Sequence, residues 1–188
     1  ILKETDFDAS NLKNYESLMC RGNGYLCVRA SLEEQYIEEK RGTFVNGVFD
    51  AVQGEVSELA ALPEATNIEI YADGERLDLN IIQYEDYSRT LDMKTGETIR
   101  KFVWVTQRGK QIKLKFSSFV SLSDKHIFAN RIDFKTDKCD VNIKIVTGID
   151  GKITNTGASH FLSPIRRVYD GGVCCLYAKT IGSGVDVA

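Results

Sequence analysis

Proline and histidine are scarce in this chain, which carries two of each among its 188 residues. No stretch reaches the roughly 18 consecutive apolar residues that suggest a membrane-spanning helix. The chain also lacks an Asn-x-Ser/Thr glycosylation motif, and residues 1–20 lack the basic-then-apolar pattern of a signal peptide. These absences predict a cytoplasmic protein that does not span a membrane.

Positive charge is not concentrated anywhere in the chain. The formal net charge is −3 and the isoelectric point is about 5.5. Proteins that bind nucleic acid or anionic membrane surfaces usually carry a basic patch or stripe. We therefore expect neither nucleic acid nor membrane as the main partner.

Cysteine occurs in an odd number that does not suggest a disulfide framework. The five residues are Cys20, Cys27, Cys139, Cys174 and Cys175. Adjacent residues of a strand point to opposite faces, so Cys174 and Cys175 suit neither a disulfide framework nor a chelating pair. We interpret all five as reduced thiols, as is usual in the cytosol.

One short helix is predicted near the start of the chain, from Ser10 to Cys20. Ser10 is a suitable N-cap residue. The apolar residues recur at helical spacing and would form a single stripe; they are Leu12, Tyr15, Leu18 and Met19. Gly22 and Gly24 are expected to end this helix.

From about residue 42 onward the hydrophobic period changes to two, which is typical of strands with one buried face. The segment QIKLKF places Ile112, Leu114 and Phe116 on one face, and DVNIKIV alternates in the same way. HIFANRIDF groups Phe128 with two further apolar residues on one side. Turn-forming pairs such as Asp73-Gly74 separate these runs. The pattern predicts an all-β fold, an antiparallel β-sandwich in a single domain spanning residues 1–188.

The glycine-rich segment RGNG, residues 21–24, raises the possibility of a phosphate site. A phosphate cradle needs a glycine-rich loop that opens a helix. Here the loop follows the predicted helix and precedes a strand-like segment, YLCVR. We therefore interpret RGNG as a helix-capping turn followed by a strand.

No complete catalytic or metal constellation is visible. The Gly-x-Ser-x-Gly nucleophile motif is absent, and His126 at a strand entry is interpreted as structural. Cys20 and Cys27 lack the second ligand pair that a zinc site requires, so no metal is expected.

The acidic residues and the aromatic residues each need an interpretation. The acidic residues Glu33-Glu34, Glu38-Glu39, Glu85-Asp86 and Asp92 are interpreted as solvated surface. Five aromatic residues could form a sugar-binding platform or belong to the core, and sequence does not separate these readings; they are Tyr71, Tyr84, Tyr87, Trp104 and Tyr177.

A series of motifs, in a fixed order, carries a family resemblance. The order is NLKNYESLMCRGNGYLCVRAS, GTFVNGVFD, LPEATNIEIYADGERLDL, RTLDMKTGETIRKFVW, FVSLSDKHIFANRIDF and GIDGKITNTGASH. The series resembles the N-terminal domain of glycoside hydrolase family 65, and it covers nearly the whole chain. That family includes maltose, trehalose, kojibiose and nigerose phosphorylases and acid trehalases.

The resemblance implies a supersandwich of the galactose-mutarotase type that precedes an (α/α)6 barrel. It implies an α-glucoside disaccharide as substrate, cleaved with inversion by phosphate or water, with a barrel glutamate as general acid. This chain would then carry no catalytic residue and no cofactor. Inorganic phosphate would be a co-substrate of the parent enzyme if that enzyme is a phosphorylase.

Contact with the missing barrel is the role expected for this domain, which supports the barrel and its sugar-binding cleft. The candidate contact residues are Arg21, Asn23, Gly24, Tyr25, Asn46 and His160. The apolar run at Val185, Val187 and Ala188 predicts a sandwich truncated at its C-terminal end. A homo-oligomer is possible, and the alternative function is a free-standing carbohydrate-binding module without catalysis.

Overall fold

The structure is a computed structural model in which residues 1–34, 36, 39, 41–52, 54–137, 140–155 and 157–188 are described. The interpretations that involve Glu38 and Cys139 lie outside these residues. The Thr156-Gly157 turn signal also lies partly outside them, because Thr156 is not described.

Antiparallel strands dominate the described chain, with 47% of residues in strand and 6% helical. This confirms the all-β prediction. The strands are β1 Leu2–Glu4, β2 Arg21–Gly22, β3 Leu26–Val28, β4 Thr43–Val45, β5 Phe49–Asp50, β6 Glu58–Leu59, β7 Ile68–Ala72, β8 Glu75–Arg76, β9 Gln83–Asp92, β10 Glu97–Val105, β11 Gln111–Val120, β12 Phe128–Thr136, β13 Ile143–Thr147, β14 Ile165–Tyr169, β15 Val173–Lys179 and β16 Asp186–Val187.

The predicted helix is present, with different ends. A 3-10 turn at Ala9–Asn11 leads into the α-helix α1, Leu12–Leu18. The first turn is capped by Asp8, whose carboxylate accepts a hydrogen bond from the Ser10 backbone N–H at 2.9 Å, so Ser10 is not the cap. The glycines do not end the helix either, because it stops at Leu18, before Gly22 enters β2.

A five-stranded sheet in the order β1-β9-β10-β11-β12 forms the main layer. Its strands pair antiparallel, with Phe102 opposite Leu114 and Trp104 opposite Ile112. These four side chains lie on one face and are buried. The apolar residues of the period-two pattern predicted for residues 111–116 therefore form the buried face of β11.

The second layer packs on this face, and the two layers form a sandwich. Strands β13, β7 and β8 form a three-stranded sheet whose Ile70 and Ala72 join the same apolar core as Phe102 and Trp104. The β7–β8 connection is the two-residue Asp73-Gly74 turn. Both of its residues adopt positive φ, +49° and +90°, as the sequence predicted for a tight hairpin.

Three smaller sheets flank the sandwich, in the orders β2-β3-β4, β5-β6 and β14-β15-β16. The β2-β3-β4 sheet packs beside the end of β11 and shares a small core with Val120. Across the described ranges, no helix is both long and apolar enough to cross a membrane.

Candidate interdomain contact site

Five of the six predicted contact residues lie on or beside the β2–β3 and β4–β5 connections. The β2–β3 turn reverses at Gly24, whose φ of +85° favours glycine. RGNG is therefore the turn of a hairpin between two strands, and not the helix cap that the sequence suggested. The Asn46 backbone N–H donates to the Tyr25 carbonyl at 2.8 Å, which brings the two connections together.

Asn23 anchors this hairpin turn to the loop between β11 and β12. Its side-chain oxygen accepts hydrogen bonds from the backbone N–H groups of Tyr25 and Leu26, at 3.0 and 2.8 Å. Its Nδ2 donates to the carbonyls of Ser121 and Lys125, at 2.6 and 3.0 Å. A single side chain thus joins two connections that are about a hundred residues apart in sequence.

An exposed rim surrounds the anchored turn. The ring of Tyr25 contacts the ring of His126 edge-to-face, with centroids 4.5 Å apart. In the same β11–β12 connection as His126, Leu122 is 76% exposed and Ile127 is 46% exposed. We name the hairpin turn, Asn46 and residues 121–127 the turn cluster. It combines a fixed backbone with exposed apolar side chains, which is the composition of a contact surface.

Arg21 lies beneath the turn cluster and does not reach its rim. Its guanidinium donates to the Ser118 hydroxyl and lies 5.4 Å from the centroid of the Phe128 ring. Burial lowers the pKa of Arg21 to about 10, and the group remains charged at neutral pH. We therefore assign Arg21 to the support of the turn cluster, and its contact with another domain stays a prediction that burial disfavours.

His160 belongs to a different cluster, formed with residues of β5 and β6. Its Nδ1 lies 3.1 Å from Asp50 Oδ2 and its Nε2 lies 2.8 Å from Glu58 Oε1. Asp50 also accepts hydrogen bonds from the backbone N–H groups of Gly182 and Ser183, at 2.9 and 2.7 Å. The histidine side chain therefore fastens three separate segments of the chain to one another.

The two carboxylates set the charge of this histidine. Burial alone would lower the pKa of His160, but the hydrogen bonds with Glu58 and Asp50 raise it above its usual value. With its side chain 2% exposed, His160 has almost no surface to offer another domain. A contact with the barrel through His160 stays a prediction, and the structure assigns the residue an internal role.

A buried ion pair was missed by the interpretation of Glu33-Glu34 as solvated surface. Arg100 on β10 donates from Nη1 to Glu34 at 2.6 Å and from Nη2 to Glu33 at 2.8 Å. Glu34 is 1% exposed. Burial alone would raise the pKa of Glu34, but the charge of Arg100 holds it below its usual value. The available signal was that Arg100 shares the alternating phase of Phe102.

The aromatic residues separate into core and surface. Trp104 is fully buried and Tyr87 is buried in the same core, so neither can serve as a sugar platform. Tyr177 is 41% exposed.

A cleft of about 500 Å³ lies elsewhere in the chain, and its lining carries charges of both signs. It includes Arg29, Arg41, Phe44, Asp150, Lys152 and Asn155. Within the described ranges, no group of three or more His, Cys, Asp or Glu residues could hold a metal ion.

Comparison with known proteins gives one consistent family. The model described as "Glycosyl hydrolase family 65, N-terminal domain" matches residues 2–188. Kojibiose phosphorylase from Halothermothrix orenii (strain H 168) is 38% identical over 98% of this chain, which covers 24% of that protein. Kojibiose phosphorylase from Escherichia coli (strain K12) is 37% identical over 89% of this chain and is covered to 22%.

A solved structure supports the same relationship. It is of a protein from the human microbiome to which kojibiose phosphorylase activity is attributed. The TM-score is 0.82 at 26% identity, over 95% of this chain and 25% of that one. The chain therefore spans about a quarter of the length of the relatives it matches.

Proposed function

Because the chain belongs to the N-terminal domain of glycosyl hydrolase family 65, we propose that it is the β-sandwich part of an inverting disaccharide phosphorylase. The observation that carries the proposal is the match over residues 2–188, together with 38% identity to a kojibiose phosphorylase. We propose an α-glucoside of the kojibiose type as substrate and inorganic phosphate as co-substrate.

The chemistry of this proposal lies outside the described residues. Phosphate attacks the anomeric carbon of the α-glucoside from the face opposite the leaving sugar, so the product is the β-anomer of glucose 1-phosphate. A general acid protonates the leaving oxygen, and the family resemblance places that acid in the barrel. The present chain contributes structure, and the parent enzyme is expected to be cytoplasmic.

We propose that the turn cluster is the surface on which the barrel rests. Asn23 fixes the backbone of the hairpin turn by four hydrogen bonds, so the surface is preorganised. The exposed side chains of Leu122 and Ile127 supply apolar area that association would bury.

A second surface suggests that this sandwich continues beyond the residues described. The β14–β15 hairpin presents exposed apolar side chains; they are Ile165, Val168, Tyr169, Val173 and Tyr177. We propose that a further part of the parent protein covers this surface. A second copy of the chain is the competing occupant.

The free-standing carbohydrate-binding module remains the second candidate. It is favoured by the cleft that Phe44 and Lys152 help to line, because a charged group beside an aromatic ring can bind a sugar. The burial of Trp104 and Tyr87 argues against it.

The two candidates predict different behaviour of the protein expressed from its intact open reading frame. The phosphorylase proposal predicts release of glucose from kojibiose only when phosphate is present, with weaker or no turnover of trehalose and maltose. Sugar binding without any phosphate-dependent turnover of the three would support the module instead.

A further inference from the structure

Cys20 and Cys27 form a thiol pair that the proposed function does not use. Their sulfur atoms lie 3.3 Å apart. The β2–β3 hairpin brings them together, because Gly22 pairs directly with Cys27 and Cys20 lies two residues before Gly22. Both side chains are partly exposed, so a small molecule can reach them.

The geometry is close to what a disulfide requires. A disulfide places its sulfur atoms about 2.05 Å apart, so the two sulfurs, now 3.3 Å apart, must approach further for the bond to form. The vicinal cysteines Cys174 and Cys175 differ, because consecutive strand residues point to opposite faces of β15.

The surroundings make the two thiols unequal. The hydrogen bond with Cys27, together with the positive charges of Arg29 and Arg21, lowers the pKa of Cys20 to about 6, although burial opposes the shift. The hydrogen bond to Cys20 and burial raise the pKa of Cys27. The charges of Arg29 and Arg21 both act on Cys20, whereas only that of Arg29 acts on Cys27. The thiolate, which is the reactive form of cysteine, is therefore favoured at Cys20.

We propose that Cys20 and Cys27 are a redox-active dithiol that small-molecule disulfides of the glutathione type oxidise to an intramolecular disulfide. The Cys20 thiolate attacks one sulfur of oxidised glutathione, forms a mixed disulfide and expels one glutathione thiolate. Cys27 loses its proton to solvent and attacks Cys20, and the second glutathione thiolate leaves. The protein loses two electrons, which reduce the glutathione disulfide to two thiols.

The position of the bond gives it a structural consequence. The bond would join Cys20, which lies just after the end of α1, to Cys27 in the middle of β3. The loop it closes contains Asn23, the residue that anchors the turn cluster. Oxidation would therefore stiffen the surface on which we place the barrel.

Tryptic cleavage gives a direct readout of the bond. Trypsin cuts after Lys13, Arg21 and Arg29, so Cys20 and Cys27 fall on separate peptides, residues 14–21 and 22–29. The protein, expressed from its intact open reading frame, is equilibrated at graded ratios of reduced and oxidised glutathione, quenched with acid, alkylated and digested. We expect the two peptides to become disulfide-linked at ratios that leave Cys174 and Cys175 alkylated.

Single substitutions test the order of attack. Cys27→Ser should accumulate a mixed disulfide with one glutathione on Cys20, whereas Cys20→Ser should leave Cys27 largely as a thiol. Cys174→Ser, the matched control, should form the 20–27 link as the unmodified protein does. The reaction rate should level off above about pH 7, because the Cys20 pKa is about 6.

Two results would overturn the proposal. One is the absence of linked peptides at ratios that already modify Cys174. The other is equal glutathione incorporation in Cys20→Ser and Cys27→Ser. Neither result bears on phosphorylase activity, so this proposal and the proposed function can fail separately.

Discussion

Arg100 and Glu34 form a two-pronged ion pair inside the sandwich, with both guanidinium Nη atoms hydrogen-bonded to the two carboxylate oxygens. Both side chains are 2% exposed. The guanidinium also lies 4.2 Å from the centroid of the Phe116 ring. The pair joins Glu34, which follows β3, to the centre of the main sheet, so it ties that part of the chain to the core.

Removing one partner of this pair should destabilise the fold strongly. Arg100→Met leaves the Glu34 carboxylate buried without its counter-charge, and we expect a loss of about 3–5 kcal/mol in the free energy of unfolding. Urea denaturation measures the loss.

The matched control uses a solvent-exposed pair. Lys113 and Asp137 are about half exposed and 2.5 Å apart. Lys113→Met should change the free energy of unfolding by less than about 1 kcal/mol. Equal losses for the two variants would show that Arg100 makes no special contribution.

Stability should depend on pH through His160. The folded state raises the pKa of His160, so it binds the proton more tightly than the unfolded chain does. This contribution is fully present below the unfolded value, near pH 6.5, and is lost as the pH rises through the higher folded value. His160→Gln should therefore cost more stability at pH 6 than at pH 9.

Denaturation curves at the two pH values, with His126→Gln as control, test this expectation. The His126 side chain is 73% exposed, and its replacement should have a small effect at both pH values. A His160→Gln penalty that is larger at pH 9 would contradict the assigned protonation.

Much of the main sheet could be predicted from sequence, because the alternation of apolar and polar residues along a strand indicates which of its faces is buried. β11 shows it most clearly: Ile112, Leu114 and Phe116 alternate with lysines and line the core. The same reasoning held only in part for the segment that contains β13, where Val141 and Ile143 pack against the main core. The alternation predicted that Ile145 would be buried with them, but Ile145 is 48% exposed.

The polar clusters could not be predicted, because their partners are distant in sequence. Arg100 lies 66 positions from Glu34, and His160 lies 110 positions from Asp50. An acidic pair such as Glu33-Glu34 reads as surface until its cation is located. The Cys20–Cys27 contact likewise depends on the hairpin turn at Gly24. The sequence pattern predicts a helix-capping turn there, so it does not indicate that the two cysteines meet.

The turn cluster can be tested as an interface by changing its exposed apolar side chains. In the 188-residue chain alone, Leu122→Ser should alter the free energy of unfolding by no more than about 0.5 kcal/mol, because the side chain is 76% exposed. In the protein from the intact open reading frame, it should lower the stability measurably if the barrel covers Leu122.

Ile81→Ser is the control for this comparison. Ile81 is 78% exposed and precedes β9, at the end of the main sheet opposite to the β11–β12 connection. Ile81→Ser should have the same small effect on the free energy of unfolding in the 188-residue chain and in the protein from the intact open reading frame. A Leu122→Ser effect that is equally small in both would remove the turn cluster as the contact surface.

The exposed hairpin β14–β15 predicts association of the isolated chain. Light scattering should show concentration-dependent oligomers, because Val168 and Val173 are 83% and 53% exposed. Val168→Lys should reduce this association, and Leu18→Lys on α1 should not. A strictly monomeric 188-residue chain would mean that the hairpin needs no cover.

The central claim is that this domain belongs to an inverting phosphorylase. Proton NMR of the protein from the intact open reading frame, incubated with kojibiose and inorganic phosphate, tests it most directly. The account predicts that β-glucose 1-phosphate is the first phosphorylated product, and that the 188-residue chain alone gives none. Formation of the α-anomer, hydrolysis independent of phosphate, or turnover by the isolated chain would contradict it.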